Sequence, residues 1–259
     1  MLTRFAPAPT GYLHLGHIVN ALYVWGAAHD RDGQVLLRIE DHDRQRSRPE
    51  YAAAIIDDLA WLGLVPDGAI VRQSERDSVY HKALRALVDR ELVYACTCSR
   101  NEINGEPYGN TCRDKEVPLT EGVSWRVRMD SGVERFFDEL LGPQEQDPSL
   151  QCGDLLVRDR LGNWTYQFAV TVDDHRQRIT DVIRGVDLLA STGRQIRLAR
   201  LLGRATPPRF WHHPLVMKSR SQKLSKSDGD SGVRDLRAAG WTAEQVLAKA
   251  RDLSGNLRP

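Results

Sequence analysis

Two short stretches hold most of the side chains in this sequence that could do chemistry. Near the amino end, Pro7-Ala8-Pro9-Thr10-Gly11 leads into His14-Leu15-Gly16-His17. A turn that follows a first strand and opens a helix is where open α/β folds hold nucleotides. The helix start offers unpaired N–H groups and a positive dipole end to phosphate. Two imidazoles on either side of Gly16, which has no side chain to clash, let a phosphate chain come close between hydrogen-bond donors. Near the carboxyl end, Lys223-Leu224-Ser225-Lys226-Ser227-Asp228-Gly229 puts two ammonium groups on a polar loop. That pair suits attack by a carboxylate on the α-phosphorus of ATP. Pyrophosphate leaves as negative charge grows on it, and cations aimed at those oxygens stabilise the transition state more than the ground state. His14, His17, Lys223 and Lys226 are therefore the candidate catalytic residues, and Gly16 and Ser225 join them as candidate ATP ligands. Either stretch alone reads as an ordinary solvated loop. Together, in this order and in an α/β chain, they point to ATP-dependent formation of an acyl-adenylate, with Mg²⁺ on the phosphates.

A third cluster is Cys96-x-Cys98 with Cys112 downstream. Thiolates at this spacing suit tetrahedral Zn²⁺. From the residues alone the fourth ligand stays open among Cys152, Glu102, Asp114 and a phenolate. One structural zinc per chain is expected, holding a segment too small to build its own core. Three of the 4 cysteines lie close together, too lopsided for a secreted disulfide scaffold.

Several elements must position these groups. Residues 2–6 read as a strand, 17–28 as an apolar helix, 34–39 as a second strand and 49–62 as a helix opened by Pro49. Residues 78–92 read as another helix. Strand and helix alternating at this spacing predict a parallel α/β sheet. The pattern breaks over 94–153, read as an inserted zinc-binding subdomain, and resumes at 155–157. Strands are expected over 179–183 and 210–217, and a helix over 188–202. The expected organisation is a Rossmann-type catalytic domain in two halves, 1–93 and 154–229, around the insertion, with a short helical segment over 230–259.

Net charge is +1, from 36 basic and 35 acidic residues. That disfavours a long nucleic-acid footprint but allows a short one, with phosphate contacts expected from arginines between positions 176 and 204. No leader is evident, and no apolar run reaches about 18 residues, so no membrane association and a cytoplasmic location are expected.

Joined to Arg4-Phe5-Ala6-Pro7, Arg38-Ile39-Glu40-Asp41, Tyr166-Gln167-Phe168-Ala169 and Val182-Ile183-Arg184-Gly185-Val186-Asp187, the two motifs resemble the glutamyl-tRNA synthetase group of class I aminoacyl-tRNA synthetases. The resemblance runs from Thr3 to about Gly229. It implies a glutamate pocket at Arg4, Ala6, Ala8, Glu40, Tyr166 and Arg184. Guanidinium groups are apt partners for the two carboxylates of L-glutamate, and Glu40 for its ammonium. On the residues alone, the competing reading is a strand-face ion pair for Arg38 and Glu40 and a structural one for Arg184. Ala8 departs from the Ser usual in the family, which leaves that position without a side-chain hydroxyl. Only 32 residues follow Ser227, so no anticodon-binding domain is expected. That matches a short branch of the family which transfers glutamate to queuosine in the anticodon stem-loop of tRNA(Asp), and a monomer is expected. The same branch implies Tyr108 as the fourth zinc ligand beside Cys96, Cys98 and Cys112. Charging of a tRNA 3′ end, or ATP binding without transfer, are the competing readings.

Overall fold

A computed structural model describes residues 1–103, 105, 107–216 and 232–255. The chain opens with β1 (Leu2–Phe5), α1 (Leu15–His29), β2 (Gln34–Ile39), α2 (Pro49–Trp61) and the short β3 (Val71–Arg72). The first two strands are parallel, with Leu2 opposite Gln34 and Phe5 opposite Leu37, and β2 pairs parallel with β3. Phe5, Val35, Leu37 and Ile39 are fully buried and meet Ile18, Val24, Ile55 and Leu59 of the two helices in one core. Near-continuous apolar strands are what a covered parallel sheet requires.

Next come α3 (Asp77–Val88), β4 (Val93–Cys96), α4 (Arg100–Ile103), β5 (Ser124–Val127), β6 (Glu134–Asp138), β7 (Gly142–Gln146), α5 (Pro148–Cys152), β8 (Leu155–Arg158) and α6 (Tyr166–Arg176). Here β5 lies between β4 and β8 in an antiparallel sheet, and β6 and β7 form a hairpin. The strand at 155–158 therefore does not resume the parallel sheet. Its alternating burial gives it one packed face, the pattern of an antiparallel strand. Last are β9 (Asp181–Gly185), α7 (Thr192–Leu201), β10 (Arg209–His213), α8 (Val233–Ala238) and α9 (Ala243–Leu253). Strands β9 and β10 are parallel, and Thr180 N–H donates to Leu2 O at 2.9 Å, setting β9 beside β1.

The chain divides into two compact units. The first takes Met1–Ser74, Ile179–Leu188 and Arg209–Pro259, the second Glu75–Arg178 and Leu189–Pro208. The first is the Rossmann-type α/β unit. The second has its own core, built on Tyr80, Leu84, Leu87, Val127, Val157 and Phe168, and contains the whole expected insertion.

Candidate functional site

In the α/β unit, β1 ends at Phe5 and α1 begins at Leu15, so the intervening loop carries Ala6, Ala8 and His14 onto the sheet edge. His14 is the residue that caps α1. Its Nδ1 accepts from Gly16 N–H at 3.1 Å, and the Nδ1 of His17 accepts from His14 N–H at 3.1 Å. Each imidazole thus satisfies one orphan N–H of the helix start. Because both Nδ1 atoms accept, the ring proton of each neutral histidine belongs on Nε2. The rings lie 3.9 Å apart, centroid to centroid. A Cβ at position 16 would come 2.9 Å from the His14 ring, so glycine there leaves the ring in its place.

Ala6, Ala8, His14, Gly16 and His17 line one cleft of about 300 Å³ together with Gly185, Asp187, His213 and Val216. Asn20, Asp187 and His213 were not singled out from the sequence. Asn20 is one turn beyond His17 on α1, a spacing that marks it as a neighbour. His213 ends β10, stacks on Tyr23 with ring centroids 4.5 Å apart, and has Nε2 3.0 Å from Asn20 Oδ1. Burial holds its pKa below the usual imidazole range, so it is neutral near pH 7.

The stretch holding Lys223, Ser225 and Lys226 lies outside the described residues. The described residues on either side of it are anchored. Val216 lines the cleft. Gly232 is bridged to His14, and Val233 N–H donates to Leu13 O at 2.8 Å.

Behind the loop, Glu40 is buried and accepts from Arg38 at 3.1 Å, so the ion pair of the competing reading is formed. Burial pushes the Glu40 carboxyl above the usual range, while Arg38, Arg4 and His42 oppose the rise. A buried carboxylate in that position gains from an incoming ammonium. Arg4 is buried and donates toward Ile183 O at 3.4 Å. Arg184 is buried on β9 and donates from Nε to His212 Nε2 at 3.0 Å on the neighbouring strand. Arg4, Glu40 and Arg184 thus belong to the α/β unit. Tyr166 is the first residue of α6 in the other unit, half-buried.

In that second unit the cysteine cluster is assembled. The Sγ atoms of Cys96, Cys98 and Cys112 lie within 4.8 Å of one another, with Cys98 to Cys112 at 3.4 Å. The Tyr108 hydroxyl is 3.4 Å from Cys96 Sγ and 3.8 Å from Cys98 Sγ. A tetrahedron around Zn²⁺ with ligand bonds of about 2.0–2.3 Å has edges of roughly 3.3–3.8 Å, so the 3.4 and 3.8 Å separations among these four atoms suit the ion. The other donors considered are engaged elsewhere. Glu102 accepts from Ser99 N–H at 2.7 Å, Asp114 faces Arg128, and Cys152 donates to the Pro148 and Gly153 carbonyls at 3.2 Å. The Arg126 guanidinium carbon stacks 3.7 Å over the Tyr108 ring. Gly153, at φ +64°, is obligatory, because a Cβ there would fall 2.0 Å from Tyr108 O.

Of the arginines expected to meet phosphate, Arg176, Arg178 and Arg200 are exposed, and the others are wholly or partly buried. Arg197 and Arg200 both pair with Glu134, Arg194 is buried, and Arg204 donates to Asp174 O. Among the described residues no helix is long and apolar enough to cross a membrane.

Comparison with known proteins places the chain in a family. Residues 1–251 match the family model for class I tRNA synthetases (E and Q), catalytic domain. The chain is 46% identical over 239 residues to a glutamyl-Q tRNA(Asp) synthetase of Bordetella bronchiseptica, covering 87% of this chain and 75% of that protein. It is 42% identical over 254 residues to one of Geobacter sulfurreducens, covering 93% and 81%. A crystal structure of a glutamate tRNA ligase from Elizabethkingia meningosepticum, in complex with its amino acid, superposes with a TM-score of 0.78 at 30% identity over 89% of this chain. This chain spans 52% of that one, about half its length.

Proposed function

Since the chain belongs to the class I tRNA synthetase family for glutamate and glutamine, whose catalytic-domain model spans 251 of its residues, we propose that it activates L-glutamate with ATP and transfers it to queuosine at the wobble position of tRNA(Asp). The observation that carries the activation step is the pair of histidines at the start of α1. With Nδ1 of each accepting a backbone N–H, both present an Nε2–H, the form in which an imidazole donates to phosphate. ATP lies along the cleft lined by Ala6, Ala8, His14, Gly16 and His17, and Mg²⁺ arrives with its phosphates. Lys223 and Lys226 meet the departing pyrophosphate.

The glutamate α-carboxylate attacks the α-phosphorus, a P–O bond forms, and pyrophosphate leaves. Arg4 and Arg184 hold carboxylate groups, Glu40 holds the ammonium and Tyr166 donates a hydrogen bond. Catalysis is positioning and charge stabilisation, with no covalent enzyme intermediate. In the second step a hydroxyl of the queuosine ring attacks the adenylate carbonyl, forming an ester and releasing AMP. The names of the relatives at 46% and 42% identity support this acceptor. Zinc, bound once per chain by Cys96, Cys98, Tyr108 and Cys112, holds the second unit's cysteine segment in shape. The enzyme works as a cytoplasmic monomer.

Glutamate-dependent exchange of labelled pyrophosphate into ATP tests the first step. Exchange is expected with L-glutamate and not with L-aspartate. Its absence with every amino acid would leave only ATP binding without transfer.

A further inference from the structure

Helix α2 carries a carboxylate in an unfavourable place. Asp58 is fully buried, and neither of its carboxylate oxygens has a hydrogen-bond partner among the described residues. Its nearest cation is Arg234, with Nε 3.7 Å away, too far for a hydrogen bond. The same guanidinium reaches Asp57 at 3.6 Å, and its carbon lies 5.3 Å over the Tyr12 ring. Tyr12 belongs to the loop that delivers His14, and packs edge-on against Tyr51 of α2 with centroids 4.9 Å apart. Arg237 also faces Asp57, at 2.9 Å. Arg234 follows directly on Gly232 and Val233, the residues bridged to His14 and Leu13. A carboxylate kept only for folding would be replaced with gain by an uncharged residue of the same shape.

We infer that Asp58 is a positioning residue: by holding Arg234 between α2 and Tyr12, it sets the histidine loop against the start of α8. The inference rests on the adenylation reading for its effect on turnover, but not for its effect on the histidines. Burial raises the Asp58 carboxyl to about 6, with Asp57 adding to the rise and Arg234 and Arg237 opposing it. The group is ionised at neutral pH at the expense of stability. Positioning and stability therefore pull in opposite directions at this residue.

The test compares wild type with Asp58→Asn and Arg234→Met in the full chain. Imidazole ¹H–¹⁵N spectra, assigned with His14→Gln and His17→Gln, are expected to show the Nε2–H tautomer in wild type and displaced His14 signals in both variants. Glutamate-dependent pyrophosphate exchange is expected to fall about tenfold in kcat for Asp58→Asn, with KM for glutamate nearly unchanged, as for a misplaced loop. In the same variant Tm at pH 7.5 is expected to rise by about 3 °C or more. Unchanged imidazole signals in both variants overturn the inference, whatever the turnover. So does a fall in exchange accompanied by a fall in Tm for Asp58→Asn, since that is simple loss of structure. Displaced signals with no exchange even in wild type uphold the positioning role and refute adenylation.

Discussion

The histidine cleft and the cysteine cluster are both made from loops, yet they are held in place by different means. The loop that presents Ala6, Ala8 and His14 sits on a core that includes Phe5, Leu13, Ile18 and Leu37, each no more than 1% exposed. Its geometry follows from packing and from the helix start that the two imidazoles cap. The cysteine segment has almost nothing comparable. Its buried cluster is Tyr94, Cys96, Tyr108 and Cys112, with Cys98 and Ile103 at its edge. Four of those six side chains are the candidate metal donors. A site whose ligands are also its core depends on the ion for its shape, whereas one built on an apolar core keeps its shape when the ligand leaves.

Removing the metal should separate the two regions most sharply. Chelation, or Cys98→Ser, is expected to release about one equivalent of zinc and to expose amides of residues 97–116 to exchange, because structural zinc contributes on the order of 10 kcal/mol in small metal-held segments. Amides of α1 should keep their protection. Equal loss in both regions would erase the distinction. Next in size, His17→Ala is expected to lower glutamate-dependent exchange about a hundredfold with little change in Tm, as for loss of one donor to a developing phosphate charge.

A smaller effect belongs to Asp58. Its folded pKa of about 6 exceeds the ordinary 3.8, so the folded state holds the proton more tightly. Its unfavourable contribution is absent below about pH 4, grows as pH rises to 6 and is constant above. Asp58→Asn should therefore be more stable than wild type by about 3 kcal/mol well above pH 6 and by less than about 1 kcal/mol near pH 4, read from urea midpoints at each pH. Least of all, Gly16→Ala should lower exchange about tenfold while leaving Tm within a few degrees, since the added Cβ displaces only the His14 ring.

Where apolar periodicity carried the signal, the elements came out close to expectation. The strand read over 34–39 is β2, and the helix read over 49–62 is α2 with Pro49 in its first turn. Ends were less legible. The helix read over 78–92 stops at Val88, because the chain turns through Glu91 at φ +57°. The strand read over 210–217 stops at His213, before Pro214, which has no N–H for a ladder. The β6–β7 hairpin was missed altogether, since Glu134-Arg135-Phe136-Phe137-Asp138 alternates weakly and Leu140-Leu141 at its turn mimic a buried run. At the site, His14, Gly16 and His17 were legible because their chemistry needs contiguous residues. Asn20, Asp187 and His213 reach the same cleft from separate elements, and no spacing in the sequence joins them. Asp58 was invisible for a further reason. An acidic residue on a helix reads as solvated, and only the packing shows that it is buried beside Arg234.

The acceptor is tested most directly by incubating the protein with labelled L-glutamate, ATP and tRNA from cells with and without queuosine. Label should appear on tRNA(Asp) that contains queuosine and on nothing from cells that lack it. Label on queuosine-free tRNA(Glu) would contradict the account and assign the chain to charging of a tRNA 3′ end.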